Sequence, residues 1–108
     1  MTSPCEPSLA TDRRLIHLAP EDNVCAAAAP LEPGEVVLFC GRPIRVLDRI
    51  PTGHKMAVAT IAAGERVRKY GAPIGTATCD IQPGQYVHTH NLKSDYLPTY
   101  TREQAAPV

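Results

Sequence analysis

A short phrase recurs four times in this 108-residue chain and limits what the chain can fold into. The phrase is an apolar residue, two spacers, a glycine, a polar residue, one further residue and a second apolar residue. It occupies residues 31–37, 61–67 and 81–87, with a variant at 50–56. Proline or alanine before glycine suits a tight turn, because Pro fixes φ at the second turn position and Gly supplies a positive φ at the third. Each copy therefore predicts a turn between two short strands.

The stretches between these copies alternate apolar and polar residues. Residues 36–40 and 43–48 show a period of two on either side of Gly41 and Arg42, which is typical of half-buried strands. Eleven prolines and seven glycines leave no room for a long helix, and without Trp and with only one Phe the core must be aliphatic. We therefore predict a single, mostly β domain whose short strands fold back on one another.

Charge and hydropathy exclude two classes of partner. Lys plus Arg and Asp plus Glu both total 11, so there is no basic surface of the kind that nucleic acid requires. The longest apolar run is far shorter than the roughly 20 residues that span a bilayer. Residues 1–14 lack the apolar stretch of a secretion signal. We expect a soluble, cytoplasmic protein that binds neither nucleic acid nor membrane.

The four cysteines contain no C-x-x-C pair, the spacing that brings two thiolates to one metal or redox centre. In the cytoplasm we expect all four to stay reduced. Cys25, Cys40 and Cys79 are predicted to be small buried residues on strands, and Cys5 to be exposed in the N-terminal tail.

Four stretches carry a family resemblance, and they lie at 16–24, 50–55, 67–78 and 80–91. They include Gly-His-Lys at 53–55, Lys-Tyr-Gly at 69–71 and His-Thr-His-Asn at 88–91. With these stretches in this order, the chain resembles the SAF (antifreeze-like) module of the altronate and galactarate dehydratase family. The resemblance implies a compact SAF-like β-clip with short strands and tight Pro-Gly turns. It places that domain at 15–92, between a flexible tail at 1–14 and a tail or docking arm at 93–108.

The resemblance and the local propensity disagree over residues 20–29. The alanine run, with acidic residues ahead of it, favours a short helix by propensity. In SAF-like domains the matching segment is a strand that leads into the first Pro-Gly turn. We expect the strand, because ten residues of isolated helix are marginal without packing.

The resemblance also implies a function. Members of the family are lyases that remove water from a hydroxylated sugar acid with a divalent metal, typically iron. The SAF module accompanies a much larger catalytic region, either fused or as a separate subunit, and one split member, a sulfolactate sulfo-lyase, expels sulfite instead. Because the chain stops at Val108, we expect a small subunit that is inactive alone and caps the active site of a large catalytic subunit. An apolar face left without that subunit would favour a homo-oligomer.

His88 and His90 are the candidate catalytic and metal-binding residues. Residues i and i+2 of a strand point to the same face, so on a strand both imidazoles would converge on one ion or ligand. Two His leave a metal shell incomplete, and the partner would supply the rest. Either ring could instead act as acid or base, or both could be solvent-facing residues of an edge strand. Asn91 is either a substrate hydroxyl partner or a turn residue.

Four further residues are candidates for substrate binding. His54 and Lys55 follow a predicted turn, from which Lys55 could hold a substrate carboxylate, although a solvated hairpin is the alternative. Lys69 and Tyr70 offer an ammonium and a phenol beside Gly71, or else are solvated and packed at the surface. His17, near the tail, is expected to serve no chemistry.

A noncatalytic SAF module for carbohydrate binding or assembly is the competing hypothesis, since it shares the Pro-Gly turns. The two differ in whether Gly-His-Lys and His-Thr-His-Asn lie together, because opposite placement would remove the main support for a catalytic cap. A free-standing metal enzyme is disfavoured, since the nearest carboxylates to the His pair are Asp80 and Asp95.

Overall fold

The computed structural model describes residues 10–94, which form nine short strands and no helix. The strands are β1 Leu15–Ile16, β2 Val24–Ala27, β3 Val36–Phe39, β4 Arg42–Arg45, β5 Lys55–Ala57, β6 Arg66–Lys69, β7 Ala72–Ala77, β8 Tyr86–Val87 and β9 Leu92–Ser94. The predicted mostly β class is confirmed. Nothing in the described range is a helix long and apolar enough to cross a membrane.

The strands pair antiparallel throughout and form three small sheets. A four-stranded sheet has the order β1-β2-β5-β8, a three-stranded sheet has the order β6-β7-β9, and β3 and β4 form a hairpin. The strand expected at residues 20–29 is confirmed as β2, whose four residues are all buried. Pairing with β1 and β5 on its two sides satisfies the β2 backbone, so tertiary context overrides the helix propensity of alanine.

Side chains from both faces of the four-stranded sheet pack into cores, with one core on each face. Cys25 and Met56 are directly opposite each other and belong to the first core, which also holds Phe39. Val24 and Ala57, the next pair along, belong to the second core. Because successive strand residues point to opposite faces, short strands here serve two cores at once. Aliphatic side chains make up most of both cores, as predicted.

The predicted turns are present in all four copies of the repeated phrase. Gly34, Gly64 and Gly84 have φ of 93°, 90° and 93°, and Gly53 has φ of 84°. In each copy the N–H that follows the glycine donates to the carbonyl three residues back, as from Glu35 to Glu32 at 3.2 Å. A positive φ at the third position of all four turns matches the predicted geometry, with Pro or Ala at the second position of three turns and Thr52 at that of the fourth.

The first apolar residue of each copy is fully buried and pairs with its counterpart in another copy. Leu31 bridges Ile50 in the first core, and Ile61 bridges Ile81 in the second. All four side chains have 0% exposure. The repeat is therefore a duplicated structural unit in which each pair of turns closes one core.

Two hairpin tips are held by segments that precede them. Cys40 and Tyr70 have positive φ, 52° and 56°, and each is followed by a glycine in the same region. The Cys40 N–H donates to the Thr11 hydroxyl at 3.0 Å. The carboxylate of Asp22, only 5% exposed, accepts from the N–H groups of Tyr70 at 2.7 Å and Gly71 at 2.8 Å.

The ends of the described range are part of the packed structure. The Asp12 N–H donates to the Leu38 carbonyl at 2.8 Å, and the Arg14 guanidinium bridges Asp12 and Glu35 at 3.0 and 2.7 Å. At the other end, Lys93 and Ser94 lie in β9 and pair with β7. Residues 1–9 and 95–108 of the predicted tails, which include Cys5 and Asp95, lie outside the described range.

Of the three cysteines in the described range, Cys25 alone meets the prediction in full. Cys25 is free and buried on β2. Cys40 is buried as predicted, but it lies at a hairpin tip rather than on a strand, and it is disulfide-bonded, so the expectation that every cysteine is reduced is wrong. Cys79 is free and exposed, because it follows β7 at a bend instead of lying within the strand.

We expect Cys25 and Cys79 to react with thiol reagents at very different rates. Burial raises the pKa of the Cys25 thiol to about 12, so neither thiolate nor access is available in the folded chain. With a maleimide at pH 8 and mass-spectrometric mapping, Cys79 should be modified within minutes and Cys25 only after denaturant is added. Equal labelling of both in the native protein would contradict this packing.

Candidate functional site

Three histidine rings gather around the ring of Tyr86, and we call these four residues the Tyr86 cluster. The ring centroids of His54, His88 and His90 lie 5.6, 5.3 and 5.7 Å from that of Tyr86. The His88 ring is parallel to the phenol ring within 7°, and the His54 and His88 centroids are 5.3 Å apart. The Tyr86 hydroxyl and His54 Nδ1 are 2.6 Å apart, which is a short hydrogen bond.

Pairing between β5 and β8 brings the cluster together. Met56 and Tyr86 are directly opposite each other, and Lys55 is opposite Val87. His54 immediately precedes β5 and His88 immediately follows β8, so antiparallel pairing places the two at one end of the ladder. Gly-His-Lys and His-Thr-His-Asn therefore meet at this end of the ladder through His54 and His88, whereas Lys55 is on the opposite face of β5.

His88 and His90 do not lie on a strand, contrary to the sequence prediction. β8 ends at Val87, and residues 88–91 form a turn in which the Asn91 N–H donates to the His88 carbonyl at 3.1 Å. Both histidines are exposed. They share a location because each packs against Tyr86, and strand periodicity has no part in it.

Asn91 is a turn residue, the second of the two roles that the sequence allowed. It is 2% exposed. Its side-chain oxygen accepts from the His88 N–H at 2.9 Å, and its side-chain nitrogen donates to the Tyr86 carbonyl at 2.8 Å. Because both ends of the amide are engaged in backbone bonds, Asn91 fixes the turn that carries the two histidines.

Lys55 on β5 and Lys69 on β6 belong to different sheets, and their charges are close enough to interact. Lys55 shares its strand face with Val87, opposite the face of Met56 and Tyr86. Burial lowers the pKa of the Lys55 ammonium below its ordinary value, and the nearby positive charge of Lys69 lowers it further. The Lys69 Nζ lies 4.8 Å from the ring centre of the half-exposed Tyr70. Two cations close together form a surface suited to an anionic group.

We expect Lys55 to titrate at a lower pH than an ordinary lysine and to regain only part of the shift in Lys69→Gln. Desolvation is the larger cause and remains in the variant, whereas only the repulsion is removed. Reductive ¹³C-methylation followed by NMR titration measures the value for each lysine. An unchanged Lys55 midpoint in Lys69→Gln would show that the two charges do not interact.

His54 breaks a pattern that the other three turns keep. In those turns the N–H at the first turn position donates to the side chain that follows the glycine. The three bonds run from Glu32 to Glu35 at 3.0 Å, from Ala62 to Glu65 at 2.7 Å and from Gln82 to Gln85 at 2.6 Å. The fourth turn begins at Pro51, which has no N–H to donate. A closing carboxylate or amide would have no partner there. The position instead carries His54, whose ring is directed to Tyr86.

Sequence reasoning missed Tyr86 and Asp48. The Asp48 carboxylate accepts from the Tyr86 N–H at 3.0 Å and so helps to hold β8 in place. Tyr86 precedes His88 by two residues. That spacing would have indicated a contact between the two rings, but only once β8 was known to pair with β5. Asp48 lies 38 residues away in the sequence, and no local pattern marks it. His17 has a structural role, since its Nε2 is 2.8 Å from the Asp22 carbonyl oxygen and its ring packs edge-on against Phe39.

The Tyr86 cluster is an open surface. A groove of 830 Å³ lies elsewhere, between the β3–β4 hairpin and residues 20–23, and none of the predicted site residues lines it. His88 and His90 are exposed, and His54 is half-buried. A substrate at the cluster would therefore be enclosed only if another surface faced it.

The described residues could supply only part of a metal site. Among residues 10–94, no three His, Cys, Asp or Glu side chains are grouped to hold an ion. The ring nitrogens of His88 and His90 have no hydrogen-bond partner within that range, so they are available as metal ligands. Two imidazoles fall short of the four to six ligands that zinc or iron takes, so further ligands would have to come from outside this range.

Comparison with known proteins places this fold in a family context. The model of a family described as the altronate/galactarate dehydratase SAF domain matches residues 13–95. An altronate dehydratase from Bacillus subtilis is 37% identical over 83 residues, which cover 77% of this chain and 17% of the relative. One from Escherichia coli is 40% identical over 74 residues, or 68% of this chain and 15% of the relative. The chain thus spans about a sixth of the length of these enzymes.

A second kind of relative is much shorter. The (2R)-sulfolactate sulfo-lyase subunit alpha of Chromohalobacter salexigens is 45% identical over 49 residues, covering 45% of this chain and 52% of that subunit. The corresponding subunit of Paracoccus pantotrophus is 47% identical over 45 residues, covering 42% of this chain and 67% of the subunit. Both relatives are alpha subunits, so each belongs to an enzyme with at least one further subunit.

Proposed function

The chain belongs to the altronate/galactarate dehydratase SAF domain family, and on that premise we propose that it caps the active site of a larger catalytic lyase region. In this role it acts in the cytoplasm as a small subunit, and it is inactive alone. The substrate is a hydroxylated sugar acid or a sulfonate such as sulfolactate. Support for a split arrangement comes from the two sulfo-lyase relatives, each of which is a separate alpha subunit.

The gathering of three imidazoles at one end of the β5–β8 ladder is the observation that carries this proposal. A module used only for assembly has no physical need for this cluster. It also has no need for a turn at Pro51 that lacks the closing side chain of the other three. Because the cluster is open to solvent, a facing catalytic surface would complete the site and exclude water from it.

The chemistry of β-elimination assigns work to these residues. A base removes the proton next to the carboxylate, a cation stabilises the resulting enediolate, and an acid protonates the departing group. Imidazole suits the proton transfers because its ordinary pKa lies near the working pH. Lys55, at the same end of the ladder but on the opposite face of β5 from Tyr86, and the nearby Lys69 would offer positive charge to the acid group of the substrate. The facing catalytic region supplies the remaining groups.

The proposal includes a divalent metal ion, iron by family resemblance, bound jointly by this chain and the catalytic region. His88 and His90 would contribute nitrogen ligands, and the catalytic region would contribute the others. When bound, such an ion supplies Lewis acidity toward substrate oxygens. Holding these two rings in place falls to Tyr86 and Asn91 of this chain.

Copurification followed by an activity assay tests the proposal. The tagged full chain is used to capture its partner from the native cytosol, and the complex is assayed for loss of water from sugar acids and of sulfite from sulfolactate. We expect a large chain that is active only when this chain is present. Capture of a partner without lyase activity would favour the noncatalytic assembly module instead.

A further inference from the structure

The contact between Tyr86 and His54 defines a role that neither the sequence motifs nor the family resemblance assigns. The two side chains come from different strands and approach to 2.6 Å between Oη and Nδ1. A neutral imidazole has one N–H donor and one acceptor nitrogen, and the partner of one nitrogen decides where the proton resides. The identity of the donor in this hydrogen bond therefore fixes the His54 tautomer.

We propose that Tyr86 is a positioning residue whose hydroxyl donates to His54 Nδ1 and holds the proton of that ring on Nε2. The Nε2–H is then the group that His54 presents to a ligand. Its use on a substrate rests on the proposed function, whereas the tautomer itself does not.

Tyr86 is held on several sides, as a positioning residue must be. Its backbone N–H donates to Asp48 at 3.0 Å, and its carbonyl accepts from the Asn91 side chain at 2.8 Å. Its ring packs against the first core. A side chain fixed in this way loses little further freedom when it orients a neighbour, so the hydrogen bond to His54 costs little entropy.

One side chain also orients a second imidazole. The His88 ring lies parallel to the phenol ring, with a centroid separation of 5.3 Å. Hydroxyl and ring can be removed separately, because Tyr86→Phe deletes only the hydrogen bond to His54 whereas Tyr86→Leu also deletes the stacking surface for His88. The two variants therefore separate the two positioning effects.

NMR on the free, ¹⁵N-labelled full chain tests the tautomer without any partner. Long-range ¹H–¹⁵N correlations should show one His54 tautomer, protonated at Nε2, and the proton within the hydrogen bond should lack a one-bond coupling to ¹⁵N. In Tyr86→Phe we expect a mixture of the two tautomers, with the control Tyr70→Phe unchanged. A proton bonded to Nδ1 in the wild-type chain overturns the proposal, even if no variant folds.

Kinetics of the reconstituted complex add a second readout. Tyr86→Phe should lower kcat about tenfold, leave KM unchanged and alter the pH profile, in line with a change confined to proton transfer. If the wild-type complex has no lyase activity, the proposed function fails while the NMR result still decides the tautomer. If the complex is active and Tyr86→Phe matches it at every pH, the positioning role is wrong.

Discussion

Gly84→Ala should leave the chain unfolded at 25 °C, whereas Gly34→Ala should leave it folded. Both glycines have φ of 93°, so the two substitutions share the cost of a left-handed backbone, about 1–2 kcal/mol. The two positions differ in the room available for a Cβ atom. A Cβ at Gly84 would overlap the carbonyl oxygen of Arg45 and lie 3.1 Å from its carbonyl carbon, whereas a Cβ at Gly34 meets nothing within 4 Å.

The Gly84 clash has no easy relief because this turn is tied to both halves of the fold. Its N–H donates to Ala57 and its carbonyl accepts from Leu47, each at 2.9 Å. Moving the turn away from Arg45 would break both bonds, so the loss should exceed about 5 kcal/mol, comparable with the whole stability of a small domain. Urea unfolding followed by circular dichroism measures it, and equal midpoints for the two variants would contradict the close approach.

Asp22→Ala should destabilise the chain by about 3 kcal/mol. The buried carboxylate accepts from the backbone N–H groups of Tyr70 and Gly71, and both donors lose their partner in the variant. Hydrogen bonds to a charged group contribute about 1.5–3 kcal/mol each, and water that enters the site recovers part of that. The β6–β7 hairpin should therefore loosen at its tip before the rest of the fold.

Hydrogen exchange and denaturant unfolding together measure this effect. The Tyr70 and Gly71 amides should exchange at least tenfold faster in Asp22→Ala. A loss of about 3 kcal/mol would correspond to a factor of about 100, so tenfold is a lower bound. Glu21→Ala is the matched control, because it removes a neighbouring exposed carboxylate that accepts no hydrogen bond within residues 10–94. Equal unfolding midpoints for the two variants would show that the Asp22 carboxylate does not stabilise the tip of this hairpin.

Local turn chemistry made much of the fold predictable. Four glycines at fixed spacing after apolar residues located the four turns, and Leu31, Ile50, Ile61 and Ile81 occupy the centres of the two cores. These features follow from φ requirements and apolar burial within seven residues. The strand at Val24–Ala27 needed the family resemblance, since its own residues favour a helix and only pairing with β1 and β5 decides otherwise.

The candidate site was predictable in its residue types but not in its geometry. Motif content singled out His54, His88 and His90, yet strand periodicity gave the wrong reason for their proximity. Tyr86 brings the three together through the pairing of β5 with β8, a contact between distant segments. Asp48 and the close approach of Gly84 to Arg45 depend on long-range packing in the same way, and a single sequence carries no local mark of either.

The most direct test of the catalytic-cap account is to titrate the catalytic region with this chain and measure lyase activity at each concentration. For His88→Ala/His90→Ala we expect half-saturation at the wild-type concentration and a plateau about 100-fold lower. Cys79→Ser, a change at an exposed site outside the Tyr86 cluster, should match the wild type in both values. A double variant with the full wild-type plateau would contradict the account and leave this chain a noncatalytic assembly module.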